Sequence, residues 1–270
     1  MNYQEKIIAY IDILGFSNKV RNTVDNNTKE EIESESNNIN KYFDNVLELK
    51  RKYIHSENIN SSRKISHFSD SIVISYLLEE EGGIFHLLTD ILFLCITVLL
   101  DGYLIRGAIS SGKLHHSENK LYGPALIYAY NMEKELASYP RIVFEKNIIT
   151  IAEKYLEKWP SKSVQLKAIN KLIEKDFDGL YYLNYFSSIE YIFGATNGLL
   201  VYLKAFKYKI LDLKKNIEYD NSIKSKYLWL KEKYNIALKN LKKKYLKEKI
   251  KIECSKLYEF LFNEIEINEE

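Results

Sequence analysis

A carboxylate placed inside an apolar strand constrains this chain more than any other feature. The stretch "IIAYIDILGFSNKV", residues 7–20, opens as a strand over residues 6–14, and Asp12 stands inside it. An unpaired charge in a buried strand costs several kcal/mol, as much as most single contacts contribute. Asp12 therefore needs a partner, and the fold has to bring one.

The segments that follow predict where that partner comes from. Residues 20–54 are polar, with Ile32, Ile39, Phe43, Val46, Leu47 and Leu49 at helical spacing, which predicts one long helix or two short ones. "KISHFSDSIVISYLL" reads as a β-hairpin with Asp70 at its tip. Gly82 and Gly83 then precede the apolar run from Ile84 to Leu100, and "YLIRGAISSGKL" resumes β character. Gly123-Pro124 opens a further helix, Pro140 stops it, and "RIVF" closes as a strand. The order is βαββαβ, which predicts an α+β, ferredoxin-like domain over residues 1–145. Residues 146–270 read as a mainly helical C-terminal extension packed on it, with "DGLYYLNYF" as a short insertion.

In a βαββαβ sheet the first and third strands are antiparallel neighbours. Asp12, near the end of one, then lies beside Asp70, at the start of the other, and the two carboxylates repel unless a cation sits between them. Oxygen donors of this kind suit hard divalent cations such as Mg²⁺ or Mn²⁺ held jointly with substrate phosphates. After Asp12, "ILGFS" turns from strand into helix, where Gly15 and Phe16 offer main-chain N–H groups to a polyphosphate.

Composition removes several other classes. Cys95 and Cys254 are the two cysteines, without CxxC or Cys/His spacing, so neither a disulfide framework nor a zinc site is expected. The N-terminus lacks an export signal pattern, and the run from Ile84 to Leu100 is short for a membrane span and contains His86 and Asp90. A cytoplasmic protein without membrane contact is the expectation. Residues 201–270 hold 17 Lys against 11 acidic residues, interleaved with Leu, Ile and Tyr at helical spacing. That pattern reads as a solvated helix face rather than a nucleic-acid site. His115 and His116 read as loop residues, since neighbours on a strand point to opposite faces and rarely ligate together. His67, just before the hairpin tip, could approach the site, although a packing role is commoner for such a residue.

"YIDILGF", "FSDSIVIS", "IRGAISSG" and "YGPALIYAYNMEKELA", in that order, resemble the class III nucleotidyl cyclases over roughly residues 6–145. The resemblance implies that Asp12 and Asp70 hold the metals, with the Ile13 carbonyl as a further ligand, in sites built between two head-to-tail protomers. The sequence departs from the purine cyclases at the base-reading positions, which fall on Ser66 and Lys120. It departs again at the transition-state Asn and Arg, which fall on Ile127 and Asn131. Arg106 and Arg141, each in or beside a strand, are the candidates to replace the missing arginine, and a structural ion pair is the equal alternative for each.

"YPRIVF", "DFDGLYYLNY" and "KYLWLKEKYN" extend the resemblance toward the bacterial pyrimidine cyclases of Pycsar anti-phage defence. That likeness implies attack of the ribose 3′-hydroxyl on the α-phosphorus of UTP or CTP, giving cyclic UMP or cyclic CMP and pyrophosphate. The product would act as a second messenger for a separate effector. A non-catalytic cyclase-fold module that binds a nucleotide is the rival reading.

Overall fold

The computed structural model describes residues 3–24, 28–51, 61–156, 162–215, 217, 220–247, 255–263 and 267. The chain divides into two compact units, Met1–Leu183 and Asn184–Glu270. The first contains β1 (Gln4–Ile13), α1 (Phe16–Arg21), α2 (Lys29–Arg51), β2 (Lys64–Phe68), β3 (Ser71–Leu77), α3 (Gly83–Leu100) and β4 (Ile105–His116). It continues through β5 (Leu121–Tyr122), α4 (Pro124–Leu136), β6 (Ile142–Phe144), α5 (Asn147–Lys154), α6 (Lys162–Leu172), β7 (Ile173–Lys175) and β8 (Tyr181–Leu183).

The sheet runs β2-β3-β1-β4-β6-β8-β7, with β5 paired to the end of β4. Its first four strands each run antiparallel to their neighbours. With helices after β1 and β3, this is the ferredoxin-like βαββαβ arrangement. β6 adds in parallel to β4, and the β7–β8 hairpin extends the sheet from β6. The segment expected as an insertion in a helical region thus forms strands around an Asp178-Gly179 turn. The expected boundary at 145/146 falls inside the first unit for that reason.

Strand alternation sorts the residues to two faces. Ile7, Ala9, Ile11, Ile72, Ile74 and Ile109 share one face and are fully buried. Tyr76, opposite Ile7, belongs to that face too, and its hydroxyl donates to Asp90 of α3 at 2.7 Å. Asp90, fully buried, also receives Arg63 Nε at 2.6 Å, so the charge inside the apolar helix is partnered. α3 is long and apolar enough to cross a membrane, yet 67% of it is buried within the protein.

The other face carries Ile8, Tyr10, Asp12, Val73 and Ala108, and α4 packs on part of it. Ala125 of α4 meets Ile8, Val73 and Leu114, while Met132 meets Ala108 and Val143. Gly107 separates Arg106 from Ala108 because nothing larger fits. A Cβ there would lie 2.4 Å from the Tyr10 carbonyl oxygen and 3.0 Å from Ile142.

The second unit holds α7 (Glu190–Phe193), α8 (Asn197–Lys214), α9 (Asn221–Lys247) and α10 (Ser255–Asn263). Phe206 is its aromatic centre, 4.9 Å from Phe186 and 5.8 Å from Tyr234 between ring centroids. Along α9 the apolar side chains Tyr227, Leu230, Tyr234, Leu238, Leu241 and Tyr245 are buried, at helical spacing. The lysines are not all solvated, as the sequence suggested. Lys231 and Lys233 are buried, and the Lys233 ammonium lies 5.7 Å from the Trp229 ring. Cys95 is buried in α3, where burial pushes its thiol pKa up, and Cys254 lies outside the described residues.

Candidate active site

Asp12 pairs across the sheet with Ser71 of β3 on one side and Arg106 of β4 on the other. Phe68 pairs with Ser71, so Ser69 and Asp70 form a two-residue turn that places Asp70 next to Asp12. Ser69 makes that turn with φ 54°, and it is the non-glycine residue with positive φ among the described residues. Holding an ordinary side chain in the left-handed region costs about 1 kcal/mol, and such outliers concentrate where geometry serves function.

The electrostatics of Asp12 follow from this placement. Burial first, and then the Asp70 charge, push its carboxyl above the ordinary aspartate value, and Arg106 offsets this only in part. Arg106 Nε stands 3.3 Å from Asp12 and 2.7 Å from Oε1 of Glu133 on α4. The contact with Glu133 is ionic rather than a directed hydrogen bond, for Oε1 accepts none among the described residues. Burial raises the Glu133 pKa, Arg106 lowers it, and Asp12 and Asp70 raise it further. Asp12 and Glu133 thus share one guanidinium, with the Asp70 charge close to both carboxylates. Beneath them lies Tyr42, fully buried, its hydroxyl without a hydrogen-bond partner among the described residues. Burial raises its pKa, and the charges of Asp70 and Asp12 add to the effect.

Among the described residues no group of three or more His, Cys, Asp or Glu side chains could hold a metal, so a hard divalent cation here would rest on the Asp12–Asp70 pair with main-chain and substrate oxygens. The carboxylate pair repels, Arg106 is divided between Asp12 and Glu133, and the buried Tyr42 hydroxyl has no hydrogen-bond partner among the described residues. Asp12 and Asp70 would hold the ion. The Ile13 side chain is buried in the core, so any contribution from Ile13 is limited to its main-chain carbonyl. Gly15 takes φ 77°, which turns the chain from β1 into α1. Phe16 is buried against Tyr42 and Phe43, so only its backbone can meet a substrate.

Ser66 and Lys120, distant in sequence, line one groove of about 380 Å³ together with Tyr10, Phe68, Ser71 and Leu121. The Tyr10 hydroxyl hydrogen-bonds Ser71 Oγ at 2.8 Å, and its ring packs edge-on against Tyr130 at 5.5 Å. Asn131 and Ile127 do not join them. They lie along a second groove of about 540 Å³, with Lys113 and Tyr128.

Of the two roles the sequence leaves open to it, Arg141 takes the structural one and not the catalytic one. Its guanidinium is buried and forms ion pairs with Asp176 and Asp178 of the β7–β8 turn. The Tyr139 ring sits 5.0 Å away. These contacts commit Arg141 to joining β6 to the hairpin, and Arg106 is the arginine at the carboxylates. His115 and His116 are not loop residues, because β4 runs on to pair with β5. Alternation does send them apart: His115 stacks on Tyr122 at 4.9 Å, while His116 lies buried beside Ser66 and Ser75. His67 packs near the Phe43 ring, at 5.9 Å. Glu133 escaped the sequence reading, although a charge at an apolar-face position of α4, in step with Ala125, Ala129 and Met132, was its signal.

No protein-family model matches the chain, and no curated protein matches it. Among solved structures it is similar to the monomeric guanylyl cyclase domain of the RhoGC fusion protein from the aquatic fungus Blastocladiella emersonii. That likeness has 10% identity and a TM-score of 0.40, covering 67% of this chain and 95% of that one. It is also similar to a class III adenylyl cyclase-like ATP-binding protein from Pseudomonas aeruginosa. There the identity is 14% and the TM-score 0.41, covering 70% of this chain and 40% of that one. The fold is assigned on strand order and register rather than on these likenesses.

Proposed function

We propose that this protein is a pyrimidine nucleotide cyclase that converts UTP, or CTP, to the 3′,5′-cyclic monophosphate and pyrophosphate. The observation that carries the reading is the juxtaposition of Asp12 with Asp70, the neighbour of its register partner Ser71, with the Asp12 carboxyl held above its ordinary pKa by burial and by Asp70. Divalent ions held there would lower the pKa of the ribose 3′-hydroxyl and neutralise charge on the leaving group.

The chain's own residues supply the rest. Asp12 and Asp70 would hold the divalent ions that bind the triphosphate, and Arg106, drawn toward the developing phosphate charge, shares its guanidinium with Glu133. Main-chain N–H groups at Gly15 and Phe16 receive phosphate oxygens. Ser66 and Lys120 face the base. Asn131, which lines a different groove from Ser66 and Lys120, would act from a second protomer in a head-to-tail dimer. The sequence likeness to Pycsar cyclases extends the proposal to a second messenger in anti-phage defence, read by a separate effector.

The test is Mn²⁺ titration with pyrophosphate release from UTP, in wild type, Asp12→Ala and Asp70→Ala. Both variants should remain folded and lose metal binding and turnover. Comparable turnover by either folded variant overturns the two-metal proposal. A second reading, a nucleotide-binding module without turnover, is favoured by Asn131 at the family's arginine position and predicts binding with no product.

A further inference from the structure

Ser66 does not face the groove alone. Its Oγ lies 2.9 Å from His116 Nε2, and His116 Nδ1 lies 2.8 Å from Ser75 Oγ. Ser75 is fully buried and His116 nearly so, while Ser66 is only partly covered and lines the groove with Lys120. The three side chains form a line from the core to the groove wall.

The polarity of that line follows from its buried end. Among the described residues, the hydrogen-bond partner of Ser75 Oγ is His116 Nδ1. A buried hydroxyl left without an acceptor for its proton loses a full hydrogen bond's worth of stability. Ser75 therefore donates to Nδ1, and neutral His116 carries its proton on Nε2. Nε2–H donates to Ser66 Oγ, which leaves the Ser66 hydroxyl proton for the groove.

We propose that His116 is a positioning residue for base selection, fixing Ser66 as a hydrogen-bond donor to the ligand. This rests on Ser66 and Lys120 facing the base in the reading above. Two donors on one groove match a ring edge that carries carbonyl oxygens, as uracil does. The exocyclic amino group of cytosine sets donor against donor, and the wrong partner leaves a polar group unpaired. Ser75, which does not touch the groove, thereby takes part in selectivity through His116.

Two measurements test this. In the first, 3′-deoxy-UTP and 3′-deoxy-CTP, which lack the attacking hydroxyl, are titrated in the presence of Mn²⁺. Wild type should bind the uracil nucleotide about tenfold or more tighter, the scale of one unpaired buried group. Ser66→Ala should bring the ratio near unity, and Ser75→Ala should lower it by freeing the His116 tautomer. A purely structural Ser75 would weaken both nucleotides alike and leave the ratio unchanged.

In the second, ¹H–¹⁵N spectra of the unmodified protein should show His116 protonated at Nε2 and accepting at Nδ1. Protonation at Nδ1 alone, a cytosine preference, or a ratio unmoved by both variants overturns the inference. If cyclic UMP forms while the ratio is insensitive to these changes, the inference fails and the cyclase reading stands. If the ratio responds and no cyclic product forms, the cyclase reading fails and the inference stands. Binding of neither nucleotide overturns both.

Discussion

Replacing Arg141 by Met should destabilise the first unit without acting on chemistry directly. The side chains of Arg141 and Asp176 are each 1% exposed, whereas that of Asp178 is 30% exposed. Removing the guanidinium strands the Asp176 carboxylate in the core, and breaking a buried pair from one side costs about 3–5 kcal/mol. The Asp178 share is screened by solvent and adds at most about 1 kcal/mol. For a unit of this size each kcal/mol moves Tm by about 2–4 °C, so a fall of about 6–24 °C is expected in thermal unfolding. The double variant Arg141→Met/Asp176→Leu should recover most of it, because no buried charge remains uncompensated. If Arg141→Met is as stable as wild type but loses turnover, the guanidinium acts in catalysis and the structural assignment is wrong.

The Asp12 carboxyl has a folded-state pKa above its unfolded value, so its ionised form opposes folding. That penalty is absent below pH 3.8, grows as pH rises through the folded pKa, and is complete above it. Asp12→Asn should therefore raise Tm at pH 7 in metal-free buffer, and the gain should vanish as pH falls toward 3.8. An equal gain at all pH values would contradict this. The proposed head-to-tail dimer, with Asn131 on a different groove from Ser66 and Lys120, predicts that mixing inactive Asp12→Ala with Asn131→Ala restores part of the activity. An active monomer in light scattering would refute it.

The juxtaposition of Asp12 and Asp70 was legible because two strong β patterns and a long apolar helix fix the strand order. The β2–β3 hairpin then leaves its tip one place to go. Which of Arg106 and Arg141 is the structural ion-pair partner was not legible, for the sequence left both roles open to each. The partners of Arg141 lie 35 and 37 residues later, in a hairpin of three-residue strands too short to announce themselves by alternation. Only the Asp178-Gly179 turn marked that hairpin. Ser66 and Lys120 came from family resemblance, since no periodicity predicts that the β4–β5 turn faces the same groove as β2. His116 was set aside on sound alternation, but alternation says where a side chain points and not what it meets.

The most direct test of the account is the product formed from equimolar UTP, CTP, ATP and GTP with Mn²⁺, identified by mass spectrometry. Cyclic UMP should predominate, with cyclic CMP second, and Asp12→Ala should abolish both. Predominant cyclic AMP or cyclic GMP would contradict the pyrimidine assignment, and the absence of any cyclic product from the metal-loaded, nucleotide-binding protein would contradict the cyclase itself.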